Sequence, residues 1–198
     1  SGMNTAGHPL GPTRRALMMG NFVIGCGVMV VAGTLNDMAA SLQVSVAVAG
    51  QLIAIAALVM GIGAPLLAVW VSGWDRRRLL VAALVWYGLG HALSALMPDY
   101  GALWPVRALT MLAAAVFTPQ AAAAIGHMAA PAERGRSITT VFLGWALASV
   151  LGMPINAWVG ETYGWRVAMG GVALISLVMA VVVHRSMPAG IQPPGLSL

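Results

Sequence analysis

Six stretches of nearly unbroken apolar residues, split by short polar connectors, organise the 198-residue chain. They run over about 16–35, 46–71, 79–97, 102–124, 138–159 and 167–183. Each is close to the roughly 20 residues a helix needs to cross a hydrocarbon core of about 30 Å at about 1.5 Å per residue. The connectors are Asn36-Asp37, the segment from Gly73 to Arg78, Pro98 to Gly101, Ala132 to Arg136, and Glu161 to Arg166. The pattern predicts six transmembrane helices. Residues 1–15 are expected to be a cleavage scar (Ser1-Gly2-Met3) followed by a cytoplasmic N-terminal segment, and 16–184 the six-helix bundle. Residues 185–198, rich in Pro and Gly, are expected to be a loose cytoplasmic tail.

Charge gives the bundle a direction. Arg14 and Arg15 precede the first run, Arg76, Arg77 and Arg78 follow the second, Arg134 and Arg136 follow the fourth, and Arg185 follows the sixth. The opposite connectors keep only Arg166, and Arg107 lies inside the fourth run. By the positive-inside rule both termini are expected in the cytoplasm. Trp70, Trp74, Trp104, Trp158 and Trp165 fall near run ends, where amphipathic rings favour the headgroup zone.

Composition supports the same class. Hydrophobic residues make up 60% of the chain and charged residues 8%, against about 25% charged in a soluble domain. The net charge of +5 comes from ten basic residues that are all arginines, clustered between apolar runs. They orient the chain in a membrane; no nucleic-acid face is expected. The single Cys26 forms no internal disulfide. Metal-ligand clusters, phosphate-cradling loops and nucleophile triads are missing from the sequence, so neither metal, cofactor nor enzymatic chemistry is expected.

A repeat is visible between the second and fifth runs. Gly63-Ala64-Pro65 precedes an apolar stretch ending in Gly73-Trp74-Asp75-Arg76, and Gly152-Met153-Pro154 precedes one ending in Gly164-Trp165-Arg166. The copies stand three spans apart and so have opposite orientation, the trace of a 3+3 inverted repeat. Frequent Gly and Pro in membrane helices would give a similar recurrence without one.

The residues from 16 to 183 resemble the N-terminal half of a major facilitator superfamily transporter, most like its drug/sugar efflux branch of proton antiporters. The anchors are Gly50-Gln51-Leu52 through Gly63-Ala64-Pro65-Leu66-Leu67, then Asp75-Arg76-Arg77-Arg78-Leu79-Leu80, and Arg107. Glu133-Arg134-Gly135-Arg136, Gly152-Met153-Pro154 and Gly164-Trp165-Arg166 complete them. The family's loop after span two reads Gly-x-x-x-Asp-Arg-x-Gly-Arg-Arg. If Arg76 and Arg77 take its final basic pair, Ser72 occupies the usual aspartate position and the acid has moved to Asp75. Relatives often carry an acidic pair in span one where this chain has Gly27 and Val28. No Asp or Glu lies in the central part of any predicted span, so a proton-carrying carboxylate is missing.

The resemblance implies a transporter half moving small organic substrates by alternating access in a bacterial inner membrane. Its partners would be membrane lipid and either a second copy, forming a homodimer, or another six-helix half. The alternative is a non-transporting assembly or regulatory protein paired with a different polytopic partner. Arg107 is the first candidate for the substrate cavity, because an intramembrane arginine costs about 2.5–3.5 kcal/mol on insertion scales and needs a partner. Snorkelling to the outer surface is its alternative. His91, Asn21, Gln51, Gln120 and Asn156 are the other polar side chains at span depth, fit either to line a cavity or to bond between helices. Gly63, Pro65, Asp75, Arg76, Arg77, Gly152 and Pro154 are the expected conformational positions, by motif.

Overall fold

The computed structural model describes residues 9–192. They form α1 (Leu10–Gly33), α2 (Leu35–Leu42), α3 (Val46–Trp70), α4 (Arg76–Ala95), α5 (Tyr100–Met128), α6 (Arg134–Leu147), α7 (Met153–Tyr163) and α8 (Trp165–Ser186). A five-residue π-helical turn, Ala148–Gly152, joins α6 to α7, so Pro131–Tyr163 makes one span. Among the described residues six helices are long and apolar enough to cross a membrane: α1, α3, α4, α5, α6–α7 and α8. They match the six apolar runs. The N-cap residue's own side chain sets three starts: Ser45 Oγ accepts from Val48 N at 3.1 Å, Asp75 from Arg78 N at 3.1 Å, and Asp99 from Ala102 N at 2.8 Å.

Three boundaries differ from the hydropathy pattern. α1 begins at Leu10, because Leu10 is buried and Thr13 Oγ1 donates to Ser186 O at 2.8 Å. The Asn36-Asp37 connector lies inside the short helix α2, which ends where Gln43 turns left-handed at φ 55°. Residues 187–192 are not a loose tail. Gly190 N donates to Asp75 Oδ1 at 2.7 Å and Arg76 N donates to Ile191 O at 2.8 Å, so this segment turns back onto the start of α4. The scar at Ser1-Gly2-Met3 and the last six residues of the tail lie outside the described residues.

α1 and α5 form the middle of the bundle. α4 and α8 pack on each other and on α5 and α1 from one side, and α3 packs on α5 and α6 on α1 from the other. Exchanging the first three spans for the last three maps α1 with α6 onto α5 with α3, α1 with α8 onto α5 with α4, and α4 with α8 onto itself. This is the pairing expected of a 3+3 inverted repeat. The equivalence reaches the ends of the α4–α8 pair. Arg166 Nη1 donates to Ala95 O at the end of α4 and to Met97 O just beyond it, while the Asp75 carboxylate accepts from Gly190 N and Arg76 N donates to Ile191 O, both beyond α8.

The α1 seam with α6–α7 depends on a stripe of positions four apart: Gly144, Ala148, Gly152, Asn156 and Gly160. A Cβ on Gly144 would strike Met18 O, one on Gly152 would meet Cys26 Sγ at 2.5 Å, and one on Gly160 would meet Thr34 Cγ2 at 2.5 Å. A four-residue stripe drifts around a helix of 3.6 residues per turn. The π turn absorbs an extra residue and returns the stripe to α1, and it accommodates the missing N–H of Pro154 just beyond.

The arginines collect at one end of the bundle, where Arg14, Arg15, Arg76, Arg77, Arg78, Arg134, Arg136 and Arg185 stand against Asp75 and Glu133. The other end carries Asp37, Asp99 and Glu161 with Arg166. There Asp37 Oδ2 accepts from Trp165 N at 2.7 Å and caps α8, beside Gly164 at φ 97°.

Candidate functional site

Arg107 stands on α5 seven residues from its first residue, about 11 Å along the helix at about 1.5 Å per residue. The side chain is fully buried and points inward; it does not snorkel. Nη2 donates to Gly27 O on α1 at 2.6 Å, and Nη1 lies 2.9 Å from His91 Nε2 on α4. His91 Nδ1 is 2.9 Å from Tyr87 O. A carbonyl only accepts, so Nδ1 carries the proton and Nε2 accepts from Arg107. A proton on Nε2 would set two donors against each other, so the ring is a neutral acceptor while this contact lasts. Tyr87, edge-on to His91 with ring centroids 4.4 Å apart, donates its hydroxyl to Ile24 O at 2.6 Å. Gly27 leaves room for that ring, because a Cβ there would meet Tyr87 Cζ at 2.6 Å.

The guanidinium is therefore held by a ring nitrogen and main-chain carbonyls, with no carboxylate among its bonded partners. Its Nε, also buried, has no hydrogen-bond partner among the described residues. A charge in this position is short of one acceptor and of a counter-charge.

Asn21 is likewise fully buried. Its Nδ2 donates to Val141 O at 3.0 Å and its Oδ1 accepts from Thr118 Oγ1 at 2.8 Å, while Trp145 Nε1 donates to Thr118 Oγ1 at 3.0 Å. Thr118 and Trp145 are half-buried, so this chain of bonds runs from the core of α1 to the open side of α5 and α6. Asn156 Nδ2 donates to Cys26 O at 3.0 Å, further along the same seam.

Gln120 sits elsewhere, with its Oε1 accepting from Arg76 Nη1. Arg76 is buried at the arginine-rich end and also donates through Nη2 to Val71 O at 2.7 Å, Ser72 O at 3.0 Å and Trp74 O at 2.9 Å. It satisfies carbonyls that the end of α3 leaves unpaired and ties that end to α5. Asp75 is the N-cap of α4 and holds Gly190; Arg77 is half-buried with its Nε unpartnered. Gln51 is exposed on α3 with no polar partner among the described residues, and Pro65 and Pro154 are exposed on α3 and α7. Gly63 is half-buried, 3.4 Å (as a built Cβ) from Ala115 Cβ, and Gly152 is buried against Cys26.

The six polar candidates thus divide among separate places. Arg107 and His91 form one cluster, Asn21 and Asn156 belong to the α1 seam, Gln120 belongs to the α3–α4 turn, and Gln51 stands apart. Tyr87, Thr118 and Trp145 were not singled out in the sequence. Tyr87 had one signal, its place one helical turn before His91 on the same face.

The family model described as Major Facilitator Superfamily matches residues 17–195. The chain belongs to the major facilitator superfamily. The inner membrane transport protein YdhP of Escherichia coli is 33% identical over 175 residues, 88% of this chain and 45% of that protein. An MFS-type transporter of Bacillus subtilis, YbcL, is 29% identical over 85% of this chain and 43% of its own length. A chloramphenicol efflux pump of Mycobacterium tuberculosis is 31% identical over 79% of this chain and 38% of the pump. The chain spans less than half the length of these curated relatives. Among solved structures, a peptide transporter POT in complex with sulfate superposes with a TM-score of 0.79 at 18% identity, over 98% of this chain and 42% of that one. The proton:xylose symporter XylE gives 0.72 at 17% identity, over 89% and 44%. At these identities the superpositions speak for the fold alone. Family membership and the six apolar spans make the chain an integral membrane protein of a transporter family rather than an enzyme.

Proposed function

We propose that this bundle is one half of an alternating-access carrier for small organic molecules, completed by a second six-helix half that a second copy of the chain supplies. The observation that carries the reading is Arg107: a buried guanidinium with a free Nε and no carboxylate among its bonded partners. Intramembrane charge is retained where it meets substrate, ion or partner. Substrate or the second half would supply the missing acceptor.

The layering supports the same reading. Only 11% of the α3 span and 22% of the α6–α7 span are buried, against 61% for α1. These two least buried spans flank the open ends of the Asn21–Thr118–Trp145 chain and carry Gln51, Pro65 and Pro154. A second half against them would enclose a midplane cavity with one polar wall, and rocking of the two halves would expose it to either side. Because an even number of spans brings both ends to one side, two copies fit a two-fold axis along the membrane normal. The arginine-rich end faces the cytoplasm of a bacterial inner membrane by the positive-inside rule. Outward movement of a chloramphenicol-sized substrate is proposed by analogy with the mycobacterial pump.

The test is flux of chloramphenicol and similarly sized probes in vesicles containing the purified chain, with Arg107→Met alongside. Concentrative or exchange flux lost in the variant, with folding intact, supports the carrier. No flux in the unaltered chain, at a protein density where two copies associate, would overturn it and favour the assembly-protein alternative.

A further inference from the structure

The α4–α8 face, opposite the α3 and α6–α7 side, carries a groove of about 360 Å³ lined by Arg78, Val81, Ala82, Val85, Trp86, Leu89 and His184. Its chemistry changes along its length. Arg78 and His184 are exposed at the arginine-rich end. Everything deeper is apolar. From Arg78 to Leu89 is eleven residues of α4, about 16 Å at about 1.5 Å per residue. That is close to half of a hydrocarbon core of about 30 Å, the depth of a single leaflet.

Trp86 forms the far wall. It is exposed at mid-depth and held by a hydrogen bond from Nε1 to Leu109 O at 2.7 Å, which fixes the ring against α5 and keeps the groove open beside it. A cationic mouth above a leaflet-long apolar trough is complementary to one kind of molecule. We infer that this groove is a binding site for an anionic phospholipid, with the phosphate on Arg78 and His184 and one acyl chain lying against Val81, Ala82, Val85 and Leu89.

The charge argues for lipid over a second copy of the chain. Another copy would bring a second arginine-rich rim to the same level, placing like charges opposite each other, while the nearby Asp75 carboxylate is already engaged by the backbone N–H groups of Arg78 and Gly190. An anionic headgroup supplies the acceptor that Arg78 lacks: no hydrogen bond from its side chain to any described residue is formed, and its backbone N–H is the group that meets Asp75.

Native mass spectrometry of the full chain from mild detergent tests the site with phosphatidylglycerol, phosphatidylcholine and inorganic phosphate as separate probes. One phosphatidylglycerol per chain is expected to survive activation, whereas phosphatidylcholine and phosphate leave the mass unchanged. Replacing both Arg78 and His184 by Ala is expected to weaken retention about fivefold or more, given the usual worth of one basic group at an anionic surface. Ala82→Phe leaves the cationic mouth intact and fills the trough, so it separates acyl-chain binding from simple charge attraction; it is expected to weaken retention similarly. Protection of Cys26 from maleimide reports folding in each variant. Equal retention of both lipids, binding of free phosphate alone, retention unchanged in either folded variant, or a disulfide between two chains through Ala82→Cys would each overturn the site.

Discussion

Removing His91 and removing Arg107 are predicted to have unequal costs, and the difference follows from which partner is charged. In His91→Ala the guanidinium stays buried and loses the Nε2 acceptor at 2.9 Å, keeping only carbonyls. A hydrogen bond to a charged group is worth about 1.5–3 kcal/mol, and the ring also leaves a cavity. Arg107→Met loses two such bonds, about 3–6 kcal/mol, but removes an intramembrane charge that costs about 2.5–3.5 kcal/mol to insert. The net change then lies between a gain of about 0.5 and a loss of about 3.5 kcal/mol, with the apolar stem volume retained. The double variant removes the shared bond only once. Its loss is therefore predicted to fall about 1.5–3 kcal/mol short of the sum of the single losses, well beyond the roughly 0.6 kcal/mol typical of neutral pairs in membrane bundles. The assay is reversible unfolding in mixed micelles, followed by maleimide capture of Cys26, which is buried and the chain's single thiol. Losses that add within about 0.5 kcal/mol would refute the geometry, because independent sites behave that way.

Gly144→Leu is predicted to disrupt the α1–α6 seam by more than about 3 kcal/mol, since even a Cβ there strikes the Met18 carbonyl; Gly61→Ala, with nothing within 4 Å, is predicted neutral or slightly stabilising in the same unfolding assay. Gly152→Ala is predicted to speed maleimide labelling of Cys26 in the folded protein, because the added methyl falls on the sulfur. Asp37→Ala removes the cap of α8 and is predicted to cost about 0.5–2 kcal/mol, with faster amide exchange at Trp165. Asp75→Ala is predicted to raise amide exchange at Gly190 and Arg78 together, because one carboxylate holds both.

The spans were legible because crossing a membrane depends on run length and apolarity, both of which are properties of the sequence alone. Arg107 was legible for the same reason: one charge interrupts an apolar run. Its partners were not, since Gly27 O is a main-chain atom that any residue offers, and only His91 carries a side-chain mark. The repeat was seen through Gly-x-Pro, yet the tighter contact lies in the four-residue stripe from Gly144 to Gly160, where Gly152 is one member. That stripe would have been ambiguous in sequence, because a regular helix carries it away from its neighbour and the π turn that restores it leaves no composition signature. Residues 187–192 read as loose from Pro and Gly content, but they are held by backbone groups meeting Asp75 and Arg76, and backbone bonding is blind to composition. The amides at Asn21, Gln120 and Asn156 mark buried polarity correctly while giving no hint that two of them share the α1 seam and the third joins the α3–α4 turn to α5.

The central claim, that this bundle is completed by a second copy of itself, is tested most directly by the particle mass in lipid nanodiscs or mild detergent. Two copies of the 20.4 kDa chain per particle, joined by cross-links between α3 and α6–α7 positions, is the predicted result. Single copies at every protein concentration, or pairs joined through α4 and α8 instead, would contradict it.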